Sequence, residues 1–219
     1  MPYFGDASGD LRGVIHGNCE VYVAGVVAGE TNECRRYAKR TVDDVRDVPE
    51  ARWNDLFQEQ KRRLFGRLAD SRLEFGVATV TSHGLHQLAD AHLLYDGRFD
   101  LEWDLALRAR AYTELVRRLD DHTEATRDTL TFDRVASARQ SEAIRERIEE
   151  LSSTLSAEFR GSRQEKEVQT ADCLAGAAAA DHKRDAGWLD RLGSERVVRC
   201  GGHVLDEFEL RLHVYEVEP

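Results

Sequence analysis

The chain has 219 residues, 31 Lys and Arg against 41 Asp and Glu, and a hydrophobic fraction of 41%. That length buries a sizeable core without disulfides or a structural metal, so one domain over 1–219 is expected. The longest apolar runs, Val21 to Gly29 and Cys173 to Ala180, fall well short of the roughly 20 residues that cross a bilayer, which excludes a helical membrane span.

The first ten residues lack the basic start and apolar stretch of a secretory signal, and a cytoplasmic location is expected. Cys19, Cys34, Cys173 and Cys200 stand far apart with no C-x-x-C pair, which points to buried thiols rather than a zinc or redox site. A net charge of -10 ordinarily argues against a nucleic-acid partner, because Lys and Arg neutralise phosphate in such complexes. Lysine, however, occurs only at 39, 61, 166 and 183, so Arg dominates the basic set, and this bias suggests a halophilic, salt-adapted cytoplasm. Near 1 M salt the Debye length is about 3 Å, and acidity then excludes neither DNA nor RNA. On this hypothesis the protein loses structure at low salt through unscreened self-repulsion. Circular dichroism across a falling KCl series checks it; full folding in dilute buffer defeats it.

In chain order, residues 2–7 are extended, Ser8-Gly9-Asp10 carries turn chemistry, and Cys19 to Ala28 is a second strand, which together predict a hairpin. In the second run Val21, Val23 and Val27 face one way and Tyr22, Ala24 and Val26 the other, as in a central strand covered on both faces. Helices are expected from Thr31 to about Arg46 and from Trp53 to Asp70, with Pro49 between them, and a third strand from Leu73 to Thr81. Two helical stretches follow, His83 to Tyr95 and Trp103 to Leu119. Thr129 to Ala136 favours a strand, Ser137 to Leu151 a helix, Leu155 to Arg160 a short strand and Glu165 to Lys183 a helix rich in small residues. Val197 to Cys200 and the alternating run Phe208 to Val214, joined by Gly201-Gly202, predict a C-terminal antiparallel edge extension. The order is that of an α/β domain with a mixed sheet.

Three aspartates stand out. Asp6 lies near the end of the first strand on the side of Phe4, where it either caps nearby amides or serves as a metal ligand at a sheet rim. Asp133 shares a face with Thr131 and Val135 in a strand, where Asp is disfavoured; it is either a solvent-facing strand end or a hard oxygen donor for Mg²⁺ or Mn²⁺. Asp172 sits on the small, packing face of its helix, and a carboxylate there is costly to bury unless paired or coordinated. His83, His86 and His92 complete no known zinc spacing, and the chain has neither a P-loop nor a G-x-S-x-G elbow. Arg35, Arg36, Arg40, Arg62, Arg63 and Arg67 fit a solvated, salt-bridged helix face better than a phosphate grip.

Asp6-Ala7-Ser8-Gly9 near the start and Gln169-Thr170-Ala171-Asp172 on the last predicted helix, followed by Leu174-Ala175-Gly176, resemble the prokaryotic family called domain of unknown function 3800. That family has Asp-Glu-Ser-Gly on its first strand and Gln-x-Ala-Asp on a late helix. The resemblance runs over most of the chain and implies a ribonuclease H-like fold: a five-stranded mixed sheet flanked by helices, with helical insertions. It also implies a divalent-metal-dependent nuclease acting on RNA or DNA, with Asp6, Asp133 and Asp172 as catalytic metal ligands for Mg²⁺ or Mn²⁺. Ala7 departs from the family pattern, so another acid, with Glu165 as one candidate, must replace the usual Glu, or the site is weakly active. The alternative is a non-catalytic nucleic-acid- or protein-binding module with an eroded site.

Overall fold

Alternation along the second apolar run sets the architecture. The computed structural model describes residues 2–29, 31–44, 50–81, 103–123, 129–135, 137–163 and 165–200. Strand β2 (Val21–Ala28) is buried along its whole length. Its Val21, Val23 and Val27 join one core, while Tyr22, Ala24, Val26 and Ala28 join the other. β1 (Tyr3–Ser8) and β3 (Glu74–Thr81) both run antiparallel to β2. β4 (Thr129–Asp133) lies parallel to β1, and β5 (Ser156–Arg160) parallel to β4.

The five expected strands are present, and a sixth extends the sheet. β6 (Val197–Cys200) gives the order β5-β4-β1-β2-β3-β6. β6 pairs parallel with β3. The chain reaches that edge from a long helix through two 3-10 turns, Leu189–Leu192 and Ser194–Arg196, and such a crossover delivers a parallel strand. The partner run Phe208 to Val214 lies outside the described residues, as does the helix expected over His83 to Tyr95.

β1 and β2 pair as expected, but a one-turn helix, α1 (Leu11–Ile15), joins them. The Asp10 carboxylate caps it, accepting the Arg12 and Gly13 N–H groups at 3.2 and 3.1 Å. One face of the sheet carries α2 (Thr31–Asp44), α3 (Gln58–Ala69) and α6 (Lys166–Arg184); the other carries α4 (Trp103–Thr123) and α5 (Ala138–Leu151). The single helix expected from Trp53 to Asp70 is broken. Trp53–Asp55 forms a 3-10 turn, and α3 starts only at Gln58, where the Gln60 side chain accepts the Phe57 N–H at 2.7 Å. Cys34, Cys173 and Cys200 are buried and Cys19 is half-buried. The basic helix faces are salt-bridged, as in the Arg63–Glu59 pair and in Arg35, which meets the buried Glu167 of α6 at 2.6 Å.

Two glycines decide how closely α6 can settle. A Cβ on Gly25 would stand 3.1 Å from the Ala171 carbonyl oxygen and the Ala175 nitrogen, so this glycine lets the α6 backbone lie directly on β2. On the far side of α6, the Trp53 ring occupies the space that a Gly176 side chain would take. That ring is held edge-on to Trp188 (5.3 Å) and Phe65 (5.8 Å), and cannot retreat freely. Gly176→Ala therefore overpacks the helix, and the clash outweighs the better helix propensity of Ala. The expected net loss is about 1–2 kcal/mol in urea denaturation, with altered tryptophan fluorescence. Unchanged stability would mean that Trp53 has room to move.

Candidate functional site

Strand register brings the first two aspartates together. Gly5 of β1 is level with Phe132 of the parallel β4, so the next residues, Asp6 and Asp133, stand side by side on adjacent strands. Parallel neighbours share their pleat, and Asp6 points to the α6 side with Phe4, as alternation predicts. Asp6 is also paired across β2 with Gly25, the residue on which α6 rests. Asp172 projects from α6 into the same region. All three aspartates line one cavity of about 370 Å³ together with Glu50, Arg52, Asn54, Ser162 and Gln169.

Each acid is fixed by backbone. Asp6 accepts the N–H of Ala7 at 2.7 Å, which is a local bond and not the cap on Ser8 or Gly9 that was the alternative reading. Asp133 accepts the N–H of Ser162 at 2.9 Å, and Asp172 that of Trp53 at 2.8 Å. These bonds favour the charged forms, yet burial outweighs them. Asp6 is raised well above the usual carboxylate range, first by burial and then by the charges of Asp172 and Asp133. Burial likewise raises Asp133, and pushes Asp172 up from 3.8 to about 6. The cavity is thus a place where negative charge is under-compensated.

Sequence reasoning missed Glu50. It follows Pro49 in a segment without periodicity, and nothing in its neighbours marks it as a site acid. It is nevertheless 5% exposed, accepts a hydrogen bond from the Ser162 hydroxyl, and pairs with Arg52 at 3.2 Å and Arg163 at 3.4 Å. Those partners hold its carboxyl below the ordinary value against the opposing effect of burial. Glu165, the acid considered as a replacement for the missing family Glu, instead pairs with Arg160 at 2.9 Å and does not line the cavity. Arg52 and Arg163 are the cations at this rim, with side chains 57% and 79% exposed.

The cavity offers carboxylate and amide oxygens, which suit a hard divalent cation, and a cation would oppose the burial and the charges of Asp172 and Asp133 that raise Asp6. Among the described residues, however, no group of three or more His, Cys, Asp or Glu side chains is arranged to hold a metal ion. The chemistry of the residues nonetheless fits such an ion.

The raised acids carry a stability signature with a definite sign. Asp172 holds its proton more tightly folded than unfolded, so its favourable contribution is full below pH about 4 and is lost as pH rises through about 6. Asp172→Asn removes the buried charge but keeps an oxygen for the Trp53 N–H. The metal-free variant should therefore melt higher than wild type at pH 8 and nearly with it at pH 4. Equal differences at both pH values would mean that Asp172 ionises freely.

The cavity thus lies beside β1 and β4, under α6, in a mixed six-stranded α/β sheet. A chain in the structure of the PCNA:RNase HII complex from Archaeoglobus fulgidus is similar, with a TM-score of 0.55 and 16% identity over 89% of this chain and 81% of that one. At that identity the likeness is one of fold. No protein-family model and no curated protein matches the sequence. Among the described residues no helix is long and apolar enough to cross a membrane.

Proposed function

We propose that this protein is a divalent-metal-dependent nuclease that hydrolyses phosphodiester bonds of nucleic acid. The observation that carries this reading is the convergence of Asp6, Asp133 and Asp172, from two adjacent strands and one helix, on a single cavity of a ribonuclease HII-like fold. The under-compensated negative charge there supports it, because such charge is costly without a cation. Membership of the domain of unknown function 3800 family is proposed on the same two end motifs.

Asp6, Asp133 and Asp172, with Glu50, would hold Mg²⁺ or Mn²⁺. When bound, such ions activate water and stabilise the leaving oxygen of a phosphodiester. The chain's own part is to fix the carboxylates through the Ala7, Ser162 and Trp53 N–H groups. Arg52 and Arg163 at the rim supply guanidinium groups suited to phosphate oxygens. Ala7, and the absence among the described residues of a group of three or more acids arranged to hold a metal ion, favour a second reading, a binding module that keeps the fold without turnover. Cleavage of labelled DNA, RNA and hybrid with Mn²⁺ decides between them: binding without cleavage in every substrate class supports the module.

A further inference from the structure

Gln169 is 3% exposed and has both ends of its carboxamide engaged by main chain. Its Oε1 accepts the N–H of Ala51 at 3.0 Å, and its Nε2 donates to the carbonyl oxygen of Ser162 at 2.7 Å. The opposite amide orientation would set donor against donor and acceptor against acceptor, so the two partners fix which end is which. Ala51 and Ser162 belong to different loops, one entering the 3-10 turn at Trp53 and the other leaving β5. Those loops carry the N–H groups that hold the acids: Trp53 donates to Asp172 and Ser162 to Asp133. The same loops also meet directly, through the Ser162 hydroxyl and Glu50.

We infer that Gln169 is a positioning residue for this cavity: its carboxamide clamps the loop at Ala51 to the loop at Ser162, and through them sets Asp172 and Asp133. Its hydrogen bonds go to the two loops and to neither aspartate. A side chain serving only to fill the α6 interface has no need of two backbone partners on separate loops, whereas a clamp needs both. The consequence for metal affinity rests on the nuclease reading above; the clamp itself does not.

The test is amide hydrogen exchange, read residue by residue by NMR in Gln169→Ala and in Gln169→Met, which keeps the length but cannot bond. Exchange at the Trp53 and Ser162 amides, neither of which bonds to the Gln169 side chain, should accelerate about tenfold or more while amides of β2 stay at wild-type rates. The Mn²⁺ dissociation constant should weaken by about 10–100-fold in the same variants. Wild-type rates at Trp53 and Ser162 in a folded variant overturn the clamp; unchanged Mn²⁺ affinity despite faster exchange upholds the clamp but overturns its setting of the two aspartates. Accelerated exchange at those two amides, in a protein whose wild type binds no Mn²⁺, upholds the clamp and removes the metal reading instead. Should neither variant fold, the wild type still answers: a protected, slowly exchanging Gln169 side-chain NH₂ supports the clamp, and a freely exchanging one overturns it.

Discussion

Mn²⁺ at about one hundred times its dissociation constant is expected to raise the melting temperature of the wild-type protein by about 5–10 °C at pH 8. A ligand that binds only the native state at that excess adds about 2.7 kcal/mol, and a domain of this size gains about 2–4 °C per kcal/mol. The increment should shrink toward pH 5, because burial pushes Asp172 up to about 6 and raises Asp6 as well, so protons compete for the same oxygens. Asp172→Asn should lose most of the increment, although its metal-free form melts higher than wild type at pH 8. That pairing of gains and losses separates a ligand from a residue that merely stabilises the fold. A full Mn²⁺ increment in Asp172→Asn takes Asp172 out of the ligand set, and an increment that does not depend on pH takes the raised carboxylates out with it.

The parts of this site that lie on regular elements were legible in the sequence. Period-two alternation alone puts Asp6 on the Phe4 face, and helical spacing puts Asp172 among the small residues that pack on the sheet. Asp133 was conspicuous because strands disfavour Asp. Glu50 was not legible, since its place depends on Ser162, Arg52 and Arg163 meeting it through tertiary structure. Trp53 was assigned to a helix on composition, yet its ring lies against Gly176 and its N–H serves Asp172; the helix consequently starts later, at Gln58. The closeness of α6 to β2 turns on Gly25, an unremarkable glycine inside an apolar strand until the helix is set on it. The parallel pairing of β6 with β3 is not readable from local pattern, because it is decided by where α6 delivers the chain.

Cleavage of nucleic acid is where the largest effect is expected. With Mg²⁺ or Mn²⁺ at high salt, wild type should cut at least one of single-stranded DNA, duplex DNA, RNA and RNA–DNA hybrid. Asp6→Asn, Asp133→Asn and Asp172→Asn should each lose about 10²–10³-fold or more, the scale on which removing one preorganised charge-stabilising group acts. The losses should not add, because ligands that hold one metal site act as a unit, and a double variant should be little worse than the worst single one. Ca²⁺ should bind yet support little turnover, since its looser coordination does not enforce the octahedral arrangement of Mg²⁺. Glu50→Gln separates two roles for the acid that sequence reasoning missed. As a replacement for the family Glu absent at Ala7, its loss should match that of the aspartates; as a mere anchor for Arg52 and Arg163, its loss should fall mainly on KM. Activity that survives Asp133→Asn while Asp6→Asn and Asp172→Asn are inactive would move the middle ligand to Glu50, which lines the cavity and whose charge acts on Asp133. Nucleic acid bound but uncut by wild type under every one of these conditions would instead assign the cavity to recognition, with Arg52 and Arg163 as its working residues.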